Sequence, residues 1–206
     1  AGLFPGARIL FTIRRQEDLV VSWYLTKLRV RIKRKAYIPF EEWWEVEGRE
    51  PHASIRDDLR YGRTIGLYAR LFGSANVRVV PFEYLRHSPA RFAEACATAL
   101  GVDAPRFAAL LANERENAAM SRAYLDFWRR FGWCLPRKLV RKWSRTMPMH
   151  RGPPARIDLP PAIAAEIAAL VGADNRALAA AFGLDLAGLG YTLAPAPTDR
   201  GTLVRP

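Results

Sequence analysis

At 206 residues, half of them hydrophobic and a quarter charged, the chain has the balance of one globular domain with a sizeable core. Its two cysteines, Cys96 and Cys134, lack CxxC spacing and clustered histidines, so neither a disulfide framework nor a zinc site is indicated. The longest stretch without a charged residue, 186–198, is too short to span a bilayer, and the expectation is a soluble cytoplasmic protein without a signal peptide. The net charge of +12 is concentrated: residues 27–35 hold six basic residues and no acid, and residues 127–157 hold nine and no acid. Two basic regions on a nearly balanced body point to a polyanionic partner, the plain alternative for each being a solvated helix face.

In chain order, residues 8–13 read as a short buried strand that stops at Arg14 and Arg15. Asp18 starts a helix with Val21, Leu25, Leu28 and Ile32 on its apolar stripe, although the stretch from Lys27 to Lys33 also alternates at period two. Pro39 opens a second helix with acids in its first turn. Residues 55–71 form another, stopped by Gly73, and Asn76–Val80 is a second strand ended by Pro81. Ser88 and Pro89 begin a helix that runs to Leu100 before Gly101, and Asp103 caps a short one. Residues 118–132 and 137–145 are two more; Pro160-Pro161 start another, and Ala173–Phe182 is the last, stopped by Gly183. The tail, residues 192–206, lacks periodicity and reads as loose.

Strand–helix–strand order implies a parallel sheet, which must be covered on both faces. Two strands are few for so many helices, and the chain begins at Ala1 almost directly with its first strand. The expectation is therefore an α/β protein with further strands upstream; a helical domain with a two-stranded patch is the alternative. In open parallel sheets, ligands sit at the carboxyl ends of strands. Arg14 lies at such an end, where a guanidinium fork suits a phosphate, and Ser22 one turn into the next helix adds a hydroxyl. The plain alternative pairs Arg14 and Arg15 with Glu17 and Asp18 and leaves Ser22 as helix filler.

"ILFTIRRQEDLVVSWY" resembles the segment of PAPS-dependent sulfotransferases that binds the cofactor's 3′-phosphate: an apolar strand, an Arg, an acid and a Ser eight residues after the Arg. Arg14, Asp18, Ser22 and Tyr24 fit that pattern, while Arg15 and Gln16 replace the usual Asn-Pro in a form similar to bacterial members. "YIPFEEWW" is similar to the family's Phe-Glu-Glu-aromatic segment, and "LYARLFGSANVRVVPFEYLRHSPARFAEACATALGVD" to its next helix, strand, Glu-x-Leu turn and Leu-Gly end. "ADNRALAAAFGLDLAGLGY" resembles its closing Asn-x-x-Leu helix and Gly-Tyr, so the likeness runs over about residues 3–191.

What the resemblance implies is a three-layer, nucleotide-kinase-like (P-loop type) sheet, helix-rich and incomplete in this chain, with residues 1–191 forming the C-terminal two-thirds of a single domain. It implies transfer of a sulfuryl group from PAPS, with no metal, to a hydroxyl or amine acceptor, an anionic glycan among the candidates; no DNA partner is expected. Arg14 and Ser22 carry over as ligands of the 3′-phosphate. "MHRGPPARIDLPP" looks like a degraded form of the basic Gly loop laid over the cofactor, so Arg151 and Gly152 carry over with it, although its Lys-Gly-Arg core is not intact and a Pro-rich connector is the alternative.

The family's 5′-phosphosulfate loop has no counterpart in these 206 residues, nor is there a GxxxxGK[ST] motif. The expectation is half a cofactor site and a chain inactive alone. No catalytic residue is assigned, because His52, His87 and His150 are each solitary. Trp43-Trp44 are read as one buried and one half-exposed indole rather than the floor of an acceptor site. Cys96 is read as a helix-core residue, and Glu83 as a group that holds the strand end. Two other readings stand beside the enzyme: a non-enzymatic polyanion or RNA binder built on the basic stretches, and a kinase-like phosphotransferase fragment, which should carry a Walker lysine.

Overall fold

The computed structural model of the chain describes residues 4, 6–32, 37–48, 55–113, 120–132, 134–147, 149 and 151–194. Two strands, β1 (Ile9–Ile13) and β2 (Val77–Pro81), pair in parallel, with Ile9 opposite Val77 and Ile13 opposite Pro81. Pro81 has no N–H to give the ladder; it takes the final position, and the amide of Phe82 donates to the carbonyl of Ile13 at 2.7 Å.

The pleat sends alternate side chains to opposite faces. Ile9, Phe11, Ile13, Val77 and Val79 pack with Ile65 of α4 (Tyr61–Phe72) and Leu178 of α10 (Pro161–Phe182). Leu10 and Val80 pack the other way, against Tyr84 of α5 (Glu83–His87) and Phe92 and Cys96 of α6 (Pro89–Leu100). Helices on both faces of a parallel pair make the protein helix-rich α/β, as expected. Cys96 is buried in α6, where loss of water pushes its thiol up.

A larger core lies off the sheet. Helix α1 (Gln16–Ile32) contributes Val20, Tyr24, Leu28 and Ile32; α2 (Phe40–Glu47) contributes Phe40, Trp43 and Trp44; α8 (Arg122–Phe131) contributes Tyr124, Leu125 and Trp128. The first half of α10 closes it with Ile163, Ile167 and Val171, so one helix serves both cores. Both tryptophans of α2 are 0% exposed, which corrects the expectation of one half-exposed indole and removes them as an acceptor-site floor.

Several boundaries differ from the expected ones. The helix expected over 55–71 is two, α3 (Ile55–Asp58) and α4, because Arg60 adopts φ −90°, ψ 77°, and the preceding carbonyl, of Leu59, accepts from the Gln16 side-chain amide at 3.3 Å. The last two expected helices are one. At their junction Gly172 stays helical and faces Ala194, whose amide donates to the Gly172 carbonyl at 3.0 Å and would stand 2.8 Å from any added Cβ. Gly101 and Gly183 end α6 and α10 in the left-handed region, with φ of 71° and 63°, as the sequence suggests. Ser88 precedes α6 without a side-chain cap bond, whereas Asp103 does cap α7 (Ala104–Asn113), accepting from the Arg106 amide at 2.8 Å. Helix α9 (Arg137–Thr146) completes the set, and among the described residues no helix is long and apolar enough to cross a membrane.

The far end of α1 is tied to α2 through Glu47, which accepts from Arg31 at 2.5 Å and faces Lys27 at 3.5 Å. Burial alone would raise this carboxyl, but the hydrogen bond from Arg31 and the nearby Lys27 and Arg31 charges outweigh it and hold it below its ordinary value. A carboxylate depressed by folding contributes stability above its unfolded pKa, about 4.3, and loses it as pH falls through the lower folded value. Urea unfolding across that acid range should therefore fall less steeply in Glu47→Gln than in the wild type. Parallel curves would show that Glu47 adds nothing to acid sensitivity.

Candidate functional site

A cleft of about 890 Å³ opens at the carboxyl end of β1. Along one side, α1 supplies Asp18, Val21, Ser22, Leu25, Thr26 and Arg29, following Arg14 at the strand end. From Gln16 to Arg29 the helix runs about 20 Å. Arg86 of α5, Met120, Met149 and the segment Pro154–Asp158 provide the remaining lining.

The sequence expects α1 to begin at Asp18 and to bury Val21 and Leu25. Instead it begins at Gln16 and buries Val20 and Tyr24, turning Val21, Ser22 and Leu25 towards the cleft. Ser22 is thus nearly two turns into the helix rather than one.

The turn that carries Arg14 is fixed by side chains distant in sequence. The Tyr61 hydroxyl donates to the Arg14 carbonyl at 2.7 Å, and the Arg15 amide donates to Glu83 Oε1 at 2.8 Å. Glu83 is buried, and its second oxygen accepts from the Tyr191 hydroxyl at 2.6 Å. This gives Glu83 the structural part expected of it, joining the ends of both strands to the Gly190-Tyr191 turn. Burial pushes both Tyr61 and Tyr191 upward, with the Glu83 hydrogen bond a second cause at Tyr191, so both phenols remain donors at neutral pH.

Behind that turn sits a pair the sequence reading missed. Gln16 and Asn175, both fully buried, exchange two side-chain amide hydrogen bonds of 2.7 and 3.1 Å. Their remaining donors reach the carbonyls of Leu59 at 3.3 Å and Thr192 at 3.0 Å, so both N–H groups of each amide are used and each amide oxygen accepts one bond. The only signal was an amide just after the strand and another in the Asn-x-x-Leu run; nothing in the sequence brings them together. Asn175→Leu should cost roughly 1–3 kcal/mol in urea unfolding, because it strands the Gln16 amide in a dry core. A stability unchanged within error would show that water or rearrangement satisfies Gln16 instead.

The alternative of simple local ion pairing holds for one arginine and not for the other. Arg15 faces Asp18 at 3.3 Å, whereas Arg14 makes no ion pair among the described residues, and its guanidinium lies over the Phe82 ring, 5.6 Å from the centroid. Glu17 instead accepts from the Thr192 hydroxyl at 2.8 Å. Arg14, Arg29, Arg86 and Arg156 therefore face Asp18 and Asp158 in the cleft, with Asp18 already engaged. A guanidinium and a hydroxyl on such a surface can together hold an oxyanion.

The segment bearing Arg156 is held by backbone pairing. The Ser121 amide donates to the Met149 carbonyl at 2.7 Å, Arg122 to Pro153 at 2.9 Å, and Ala155 to Met120 at 2.7 Å, around a bridge between Ser121 and Pro154. Arg151 and Gly152 are exposed at the turn leading into this segment, where Gly152 takes φ 103°; the cleft lining begins two residues later, at Pro154. Of the basic stretches, Arg29 and Arg156 line the cleft, whereas Lys27 and Arg31 face Glu47. Residues 33–35 lie outside the described residues, as do His52 and His150, while His87 is exposed. Among the described residues no group of three or more His, Cys, Asp or Glu could hold a metal ion. Compared with protein-family models, curated proteins and solved structures, the chain has no match.

Proposed function

We propose that the cleft binds the 3′-phosphate of PAPS and of its product, adenosine 3′,5′-bisphosphate, and that the chain is part of a sulfotransferase acting on a hydroxyl or amine acceptor. The observation that carries this reading is the pairing of Arg14, without an acid partner among the described residues, with Ser22 on one cleft at the carboxyl end of a parallel strand. Arg156, close after Arg151 and Gly152, supports a cationic loop over the bound nucleotide. The excess of arginine in the cleft suits an anionic acceptor such as a glycan. In this reading the two strands belong to a larger nucleotide-kinase-like sheet.

Sulfuryl transfer breaks the bond from sulfur to the 5′-phosphate oxygen and forms one to the acceptor, which gives up a proton. Neither the stabilising of the leaving phosphate nor the removal of that proton is assigned to a residue of this chain.

Calorimetric titration of the chain should give a preference of roughly tenfold or more for adenosine 3′,5′-bisphosphate over AMP, the worth of one charge-assisted hydrogen bond. Equal affinities, or heparin binding that displaces neither nucleotide selectively, would favour a general polyanion binder.

A further inference from the structure

We infer that the α8–α9 hairpin is a docking surface for an anionic lipid bilayer. Its inner side is anchored: Tyr124, Leu125 and Trp128 of α8 and Val140 of α9 are buried in the larger core. Among the described residues, its outer side is open to solvent apart from the Arg130 guanidinium, which lies over the Phe131 ring at 5.7 Å from the centroid. Phe131 keeps 42% of its surface exposed and Leu139 37%. These two are the ends of one apolar seam. The Phe131 ring meets Phe127 at 5.4 Å, Phe127 meets Trp143 at 5.7 Å, and Leu139 lies one helical turn before Trp143. Phe127 and Trp143 are themselves only partly buried.

Cations flank this seam. Lys138 and Lys142 are exposed and make no ion pair among the described residues, and no acid occurs anywhere from 127 to 157. Asp126, just before that stretch, faces Arg122 at 3.6 Å. Neither of these two lysines lines the cleft, so the inference stands apart from the proposed function. Cations alone would suit a sulfated polysaccharide equally well. The exposed phenylalanine and leucine are what decide for a bilayer, where apolar side chains enter the headgroup boundary while cations meet anionic headgroups. A tryptophan at the same level suits that boundary, because its ring prefers the interface.

Co-sedimentation of the full chain with phosphatidylcholine vesicles, with and without phosphatidylserine, tests this. At about 0.1 M salt, binding to serine-containing vesicles should exceed binding to phosphatidylcholine alone by at least tenfold, since each cation contributes roughly fivefold. Lys138→Glu combined with Lys142→Glu should remove that excess. Phe131→Ser combined with Leu139→Ser should lower vesicle binding by roughly tenfold while retention on heparin stays as in the wild type. All four side chains are exposed, and circular dichroism of both variants checks that the fold is kept. No association with the anionic vesicles would overturn the inference. So would vesicle binding indifferent to Phe131→Ser with Leu139→Ser, which would make the surface a site for soluble polyanions.

Discussion

Trp43→Ala is expected to lower the stability of the protein by about 3–5 kcal/mol, the loss typical of emptying a buried aromatic site. The indole is 0% exposed and meets Tyr24 at 5.4 Å, Phe40 at 5.7 Å and Trp44 at 6.4 Å between ring centroids. No single neighbour can fill the space. Tyr24 is held by its hydroxyl bond to the Ile38 carbonyl at 2.8 Å, and Trp44 by its Nε1–H donating to Glu166 at 3.0 Å. A domain of this size shifts by roughly 2–4 °C per kcal/mol, so a thermal melt should move down by about 6–20 °C. Trp43→Phe, which keeps part of the ring volume, should lose less. A melt unchanged by Trp43→Ala would mean that α2 does not close the larger core.

That result bears on what the sequence made legible. Phe40, Trp43 and Trp44 stand at the i, i+3, i+4 spacing of one helical face, and their common burial could have been read from it. Gly101, Gly183 and the Asp103 cap are local signals, and they hold. The break at Leu59–Arg60 and the continuity at Gly172 depend instead on contacts far along the chain, from Gln16 and from Ala194. Helix α1 was misread for a different reason. Val20 with Tyr24 and Val21 with Leu25 are equally apolar stripes one residue apart, and only the tertiary packing decides which faces the core. The choice matters, because the stripe turned outward carries Ser22 into the cleft.

The site was legible in part for the same reason. A parallel strand that ends in arginine marks a candidate ligand position by topology alone, and the spacing from Arg14 to Ser22 keeps both on the cleft side. Of the supports of that turn, Gln16 is local, whereas Tyr61, Glu83, Asn175 and Tyr191 stand 47 or more residues along the chain. Arg86 joins the cleft through folding and carried no motif of its own, whereas Arg29 belongs to the basic stretch 27–35.

Arg14→Ala should weaken binding of adenosine 3′,5′-bisphosphate by roughly ten- to a hundredfold. The Arg14 carbonyl and the Arg15 amide are held by Tyr61 and Glu83, and neither bond uses the Arg14 side chain, so truncation should leave the turn in place. Only the guanidinium and its contact with the Phe82 ring are lost. Ser22→Ala removes a neutral hydroxyl donor, worth roughly 0.5–1.5 kcal/mol, and should weaken the same ligand less.

The ratio of affinities separates recognition from damage, because a distorted site would weaken both nucleotides alike. The direct measurement is calorimetric titration of the wild type and Arg14→Ala with adenosine 3′,5′-bisphosphate and with AMP. Specific recognition of the 3′-phosphate predicts a loss of roughly ten- to a hundredfold for the bisphosphate and scarcely any change for AMP. Equal losses for both nucleotides, or no loss for either, would contradict it and remove Arg14 from the phosphate site.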